Sequence, residues 1–281
     1  MNLLGLFDKI GYDMFEKQLA RYEPIAPIES QVVRKPYVVS QRVILCGGFL
    51  EHYIYKSPYL KGMPAIFHPK SKFASTTPQE ELLERNVKRA RSAIRRLVNS
   101  NSDLNKFLTL TFADNVTDFI KANAEFENFI KRVRRIYKDF KYLAVPEFQK
   151  RGAIHYHLLC NLEFVDVNEF AKIWGFGFIR LNKITNVDNV GAYVCKYLGK
   201  MNFDKRLFKK KKFFYSRNLL KPLVVDKLSE VLDLLSFFNL KSLDKKFNIT
   251  FDSKWFGVVE YTQYKIKQLQ NIFEFKKVAC I

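Results

Sequence analysis

Two of the four histidines, His155 and His157, stand one residue apart in "AIHYHLL", and Glu147 lies eight residues before the first of them. On a β-strand, residues i and i+2 project from the same face, so the two imidazoles point together. A three-residue turn of Lys150, Arg151 and Gly152, with glycine at the position that needs a positive φ, sets Gln149 opposite Ala153 and Glu147 opposite His155. Opposed residues on one face have Cβ atoms about 4.5 to 5.5 Å apart. Glu147, His155 and His157 are therefore expected to form one cluster, with two imidazoles and a carboxylate able to hold a metal and leave positions for water and substrate. Imidazole suits zinc, whereas carboxylate and phosphate oxygens suit magnesium or manganese, so residue type alone leaves the ion open. The plainer alternative is a pair of half-buried histidines, one of them ion-paired with Glu147.

A second constellation lies in "YVCKYLGK". Tyr193 and Tyr197 are four apart, and Lys196 and Lys200 fall on or near the same side of a helix. Val190, Val194, Leu198 and Met201 make the opposite, apolar stripe, so the tyrosines are not needed for the core face. A phenolate attacking phosphorus forms a phosphotyrosine, a covalent link that conserves bond energy and lets a strand be rejoined without ATP. A free tyrosine has a pKa of about 10, and a neighbouring lysine, here Lys196, or a metal lowers it. With two tyrosines one turn apart, one holds a DNA end while the other attacks.

These groups need a scaffold. "KFLTLTF" (106–112) alternates, with Leu108, Leu110 and Phe112 on one face and Thr109 and Thr111 on the other. "DNVTDFIKANAEFENFIKRVRRIY" reads as a helix with capping signals at Asp114 to Thr117 and an apolar stripe from Phe119 to Ile136. Strands "KYLAVPEF" and "AIHYHLLCNL", a helix starting at Asp166 and the strand "GFGFIRL" follow. The order strand, helix, strand, strand, helix, strand predicts an α+β fold: a ferredoxin-like, RRM-like antiparallel sheet (β-α-β-β-α-β) with helices on one face. The other face is then left open for a ligand. Before this core, "YVVSQRVILCGGFLEHYIYK" predicts a hairpin at Gly47-Gly48, and "EELLERNVKRARSAIRRLVNS" a helix with Leu83, Val87, Ala90, Ile94 and Leu97 on its apolar side. Its other side carries Arg85, Lys88, Arg89, Arg91, Arg95 and Arg96, either a solvated face or a phosphate-binding one. After the core come the basic, aromatic "KRLFKKKKFFYSRNLLKP", a helix and a final pair of strands. The resulting division is an extension over 1–99, the core over 100–205 and a basic extension over 206–281.

The chain of 281 residues carries 48 Lys and Arg against 28 Asp and Glu, a formal net charge of +20, which calls for a polyanionic partner. A membrane surface is disfavoured: no apolar run is long enough to span a bilayer, and the N-terminus carries acids where a signal peptide needs bases. A soluble, cytoplasmic protein is expected. Cys46, Cys160, Cys195 and Cys280 form no Cys-x-x-Cys pair, which argues against a zinc ribbon or a disulfide scaffold. No G-x-x-x-x-G-K-[ST] loop is present, so ATP-driven unwinding has to come from another protein.

"FLTLTF", "RGAIHYHLL" and "YVCKYLGK", in this order, resemble the three motifs of HUH endonucleases, specifically the replication initiators of rolling-circle plasmids and single-stranded DNA phages. The resemblance covers roughly residues 100 to 205. It implies a DNA nickase and strand transferase using Mg2+ or Mn2+, acting on single-stranded origin DNA in a bacterial host cell with a host helicase in trans. By the resemblance, His155 and His157 are metal ligands, Glu147 the additional acidic ligand, Tyr193 the nucleophile, Lys196 the motif lysine and Tyr197 the second tyrosine of phage-type initiators. The residue between the histidines, Tyr156, is less apolar than the usual aliphatic. Thr109, Thr111, Arg151, Arg89, Arg95, Arg96 and Lys200 are the candidate DNA contacts. Relaxases and transposases share the superfamily. A non-catalytic single-stranded nucleic-acid-binding module and a zinc hydrolase are the alternatives from other classes, and the residues carry no reading of oligomeric state.

Overall fold

Alternating side chains on three consecutive strands give the central sheet two different faces, and a computed structural model shows how each is covered. It describes residues 35–62, 79–163, 165–184, 206 and 210–266. The tyrosine motif, with Tyr193, Lys196, Tyr197 and Lys200, lies outside the described residues, as do Cys195 and Cys280.

The fold is α+β with two five-stranded sheets. In chain order the elements are β1 (Tyr37–Cys46), β2 (Phe49–Lys61), α1 (Gln79–Asn99), β3 (Lys106–Phe112), α2 (Phe119–Ile136), β4 (Tyr142–Phe148), β5 (Ile154–Cys160), α3 (Val167–Trp174), β6 (Gly177–Lys183), β7 (Phe214–Tyr215), β8 (Leu223–Val225), α4 (Leu228–Phe238), β9 (Asp244–Ser253) and β10 (Gly257–Lys265). Two compact units draw on residues within Met1–Val43, His52–Lys72 and Val225–Thr262, and within Ile44–Glu51, Phe73–Val224 and Gln263–Ile281. These units do not follow the motif boundaries at residues 99 and 205. Helix α1 and strand β7 belong with the β-α-β-β-α-β segment, because motifs mark where chemistry resides and packing extends beyond them.

In the second unit the sheet order is β6-β3-β5-β4-β7, with β3 antiparallel to β5 and β6, and β4 antiparallel to β5 and β7. The first four strands follow the split β-α-β topology expected from the element order, and β7 adds a short fifth strand. One face packs Leu108, Leu110, Ile154, Tyr156 and Leu158 against Phe126, Phe129 and Val133 of α2 and Phe170 and Trp174 of α3. Tyr156 belongs to this face: its ring stacks on Phe126 with centroids 4.4 Å apart, and its hydroxyl donates to Asn123 Oδ1 at 2.6 Å. The polar tip is satisfied, so a tyrosine serves where an aliphatic residue would.

Helix α2 begins later than its capping signals suggest. Asp118 is the N-cap, its carboxylate accepting from the Ile120 and Lys121 amides. The preceding residues are held elsewhere, with Ala113 N donating to Phe176 O and Ile154 N to Val116 O. Ile136, expected on the apolar stripe, is exposed at the helix end. Helix α3 starts where predicted, capped by Asp166, and ends at Gly175 in the left-handed conformation.

The opposite face is only partly open. Ile94, Leu97 and Val98 of α1, with Leu104 and Leu219, cover Leu143, Val145 and Leu159. Apolar residues at one end of this face attract a helix, and the polar residues at the other end do not. Cys46 and Cys160 are buried, with burial pushing both thiols up to about 12. They are packing residues in the reduced form.

The first unit has its own small core of Val39, Tyr55 and Val259 ringed by Tyr37, Tyr53, Tyr59 and Phe256. Within this unit Asp226 accepts from Tyr37 Oη at 2.7 Å and pairs with Arg42 at 3.1 Å and Lys61 at 2.7 Å. His52 is buried and neutral, with Nε2 2.8 Å from Gln41 Oε1, and burial lowers its pKa from 6.5 to about 4 against the raising influence of Glu260. Above pH 6.5 both folded and unfolded chains hold this histidine neutral. As pH falls from 6.5 to 4 the unfolded chain takes up the proton and the folded chain does not, so stability drops by about 3 kcal/mol and then levels off. In urea unfolding across this range, His52→Gln is expected to show a visibly shallower loss of stability than the wild type.

Candidate functional site

The hairpin between β4 and β5 sets the site. Gln149 N donates to Ala153 O at 2.8 Å, and Gly152 N to Gln149 O at 2.8 Å, closing a loop of Lys150, Arg151 and Gly152. Gly152 has φ +91°, a conformation that side chains resist. With this turn in place, Glu147 pairs with His155 and Val145 with His157. On the other side of β5, His155 pairs with Thr111 and His157 with Thr109. Strand β6 completes the rows, Phe178 opposite Thr111 and Arg180 opposite Thr109. The uncovered end of the face therefore reads Glu147, His155, Thr111, Phe178 in one row and Val145, His157, Thr109, Arg180 in the next.

His157 is held from both ring nitrogens. Its Nε2 is in direct contact with Glu147 Oε2, and its Nδ1 lies 3.2 Å from Thr109 Oγ1. Phe107 stacks alongside, with ring centroids 5.7 Å apart. Thr109, expected as a DNA contact, thus has a partner inside the protein and orients the imidazole. His155 is buried, its ring centroid 6.4 Å from that of His157, and its Nε2 has no hydrogen-bond partner among the described residues. Burial lowers the His155 pKa, with the charge of His157 and that of Arg151 acting in the same direction and Glu147 opposing. The neutral imidazole is thereby favoured, the form that donates a lone pair.

Register and contacts bring Glu147, His155 and His157 together on one face as expected, with the carboxylate closed onto His157. Among the described residues no group of three or more His, Cys, Asp or Glu side chains stands in an arrangement that could hold a metal ion. The ion-paired alternative describes the Glu147–His157 contact. The unpartnered Nε2 of His155, buried beside that contact, is the feature that a pair alone does not explain.

The candidate DNA contacts divide. Arg151 is exposed on the hairpin loop, its Nε donating to Gln149 Oε1 at 2.9 Å. Arg89 is exposed on α1. Arg95 and Arg96 instead clamp the fully buried Glu51, at 2.8 Å and 2.7 Å, so the basic side of α1 is used in part to neutralise an internal carboxylate. Nothing in the alternation of α1 signals this, because the partner comes from β2, far away in sequence. Phe178 and Arg180 were not singled out by sequence reading, although the alternation of "GFGFIRL" places them on the threonine face.

Residues 105–202 match the family model of the replication-associated protein ORF2. The chain is also 30% identical over 179 residues to the phasyl DNA replicon protein arp of Escherichia coli, a stretch covering 49% of this chain and 62% of that relative. The chain thus spans less than two thirds of the relative's length. No solved structure matches it. No helix among the described residues is long and apolar enough to cross a membrane.

Removing one partner of a buried ion pair leaves a charge stranded. Arg96→Gln is expected to cost about 3 kcal/mol in urea unfolding, whereas Arg89→Gln stays within about 0.5 kcal/mol of the wild type.

Proposed function

We propose that the chain initiates DNA replication as a single-strand endonuclease and strand transferase of the HUH type, nicking an origin through a covalent 5′-phosphotyrosine. The observation that carries this reading is the register that gathers Glu147, His155 and His157 at the uncovered end of the sheet face, with His155 Nε2 buried and unpartnered. The matches to a replication-associated family model and to a replicon protein support a role in replication initiation, and the net charge of +20 suits a DNA substrate.

Glu147, His155 and His157 are the residues that would hold Mg2+ or Mn2+. The donor set fits: two imidazoles, one kept neutral by burial, and a carboxylate already directed at His157. When bound, such an ion withdraws charge from a non-bridging phosphate oxygen and orients the phosphodiester. Thr109 fixes the plane of the His157 ring through Nδ1. The phenolate oxygen of Tyr193 attacks phosphorus, the P–O3′ bond breaks, and the departing oxygen takes a proton to become the 3′-hydroxyl primer. Lys196 favours the phenolate over the phenol, and Tyr197 performs the second attack that releases or rejoins the strand.

The tyrosine motif lies between two described anchors. Ile184 N donates to Asn105 O at 2.8 Å, at the end of the sheet remote from the histidines. Arg206 lies over the Phe148 ring at 4.1 Å, next to Glu147. These flanks are compatible with delivery of Tyr193 to the histidine face. In this reading the partners are single-stranded origin DNA and a helicase supplied in trans, in the cytoplasm of a bacterial host.

The exposed aromatic and basic groups of the sheet, together with the closed Glu147–His157 contact, favour a non-catalytic single-strand binder as the second reading. Incubation with origin single-stranded DNA and Mg2+ separates the two. A covalent protein–DNA adduct is expected, lost in Tyr193→Phe and in EDTA; an adduct that survives Tyr193→Phe or EDTA contradicts the corresponding role. Thr109→Val is expected to weaken Mn2+ binding, followed by electron paramagnetic resonance, about 10- to 100-fold.

A further inference from the structure

Phe178 is 71% exposed on β6, a strand whose alternate residues Ile179 and Leu181 pack into the core. An apolar ring of this size, presented to water on an ordered strand, has lost the burial that would stabilise it by roughly 2 kcal/mol. Arg180, two residues on, is exposed on the same face. Thr111 and Thr109 stand directly opposite them on β3, and beyond those the register continues to His155 and His157. Adjacent strands are about 4.8 Å apart, so Phe178 is about 10 Å from His155. A few nucleotides span that distance.

The platform is rigid. Gly177, at φ +150°, lets β6 approach β3 so closely that a Cβ there would lie 2.4 Å from Ala113 N and 2.5 Å from Thr111 O. Trp174 Nε1 donates to Thr111 O at 3.1 Å, and Arg132 donates to the carbonyls of Ile173 and Trp174 at 2.9 Å and 3.0 Å. Both sides of Phe178 are therefore held before any ligand arrives, which reduces the ordering cost of binding. Neither β3 nor β6 carries an acidic residue, and the chain's charge of +20 favours a polyanion over a second copy of itself.

We propose that Phe178 and Arg180 form a subsite for single-stranded DNA, Phe178 stacking on a nucleobase and Arg180 pairing with an adjacent phosphate, in line with the histidine pair. This rests on the DNA reading above and adds to it the place where the strand is gripped beside the reacting phosphate. Every base has a π-face, so the contact is tolerant of sequence.

The test is fluorescence anisotropy with a labelled oligo(dT) of about 16 nucleotides, in EDTA so that no strand is cut. Phe178→Ala is expected to bind about 5- to 100-fold more weakly, with the same dependence on salt. Arg180→Gln is expected to lower the slope of log K against log salt by about 0.7. Phe178→Trp is expected to keep affinity and to show quenching of its indole fluorescence as the oligonucleotide saturates. Affinity of Phe178→Ala within about twofold of the wild type overturns the subsite, as does a variant whose sole change is its oligomeric state by light scattering. If Phe178→Ala fails to fold, absence of quenching in Phe178→Trp overturns it equally. The covalent-adduct assay reads the other reading separately: an adduct without stacking removes the subsite alone, and stacking without an adduct removes the nickase alone.

Discussion

Pairing between β4 and β5 is held at one end by a three-residue turn, and the arrangement of every other group at the site follows from it. A slip of one residue would carry His155 and His157 to the core side and turn Tyr156 and Leu158 outward. Such a slip is opposed from both directions. Gly152 at φ +91° allows the turn to close where it does, and the Tyr156 ring is stacked on Phe126 with its hydroxyl tied to Asn123. The apolar face and the polar face of β5 therefore enforce the same register, one by burial and the other by the turn.

A sheet with helices on one side only would leave its second face entirely in water. Here the second face is divided. Leu143, Val145 and Leu159 draw α1 onto one end, and the row of charged, hydroxyl and imidazole groups at the other end gives a helix nothing to bury against. The boundary falls at Val145 and His157, which are paired. Phe107, stacked on the His157 ring, belongs to the covered part. The imidazole is thus supported by packing on one side, by Thr109 at Nδ1 and by Glu147 at Nε2, while His155 is kept neutral chiefly by burial. Supporting shells of this kind are what hold ligating or catalytic groups in place.

Positive charge serves two ends in this protein. Part of it is internal: Arg95 and Arg96 neutralise Glu51, and Arg42 and Lys61 converge on Asp226. A carboxylate as buried as Glu51 requires such partners. The rest faces solvent, and Arg89, Arg151 and Arg180 are among the residues there. Net charge counts both kinds alike, so the figure of +20 identifies the class of partner better than the surface that meets it.

The periodicity of the chain by itself determined the β-α-β-β-α-β order, the inward and outward sides of β3 and β5, and the opposition of Glu147 to His155, because strand alternation and a short turn are local geometry. Caps were less legible: Asp114 to Thr117 has the composition of a helix start, but hydrogen bonds to residues 154 and 176 hold that segment, and Asp118 takes the role. Tertiary structure alone decided that α1 shields half of the second face, that Thr109 supports His157, that Arg95 and Arg96 turn to Glu51, and that Phe178 and Arg180 share a face with the histidines. Each of these joins residues from separate elements, and a one-dimensional pattern carries the period of an element without the identity of the neighbour it meets.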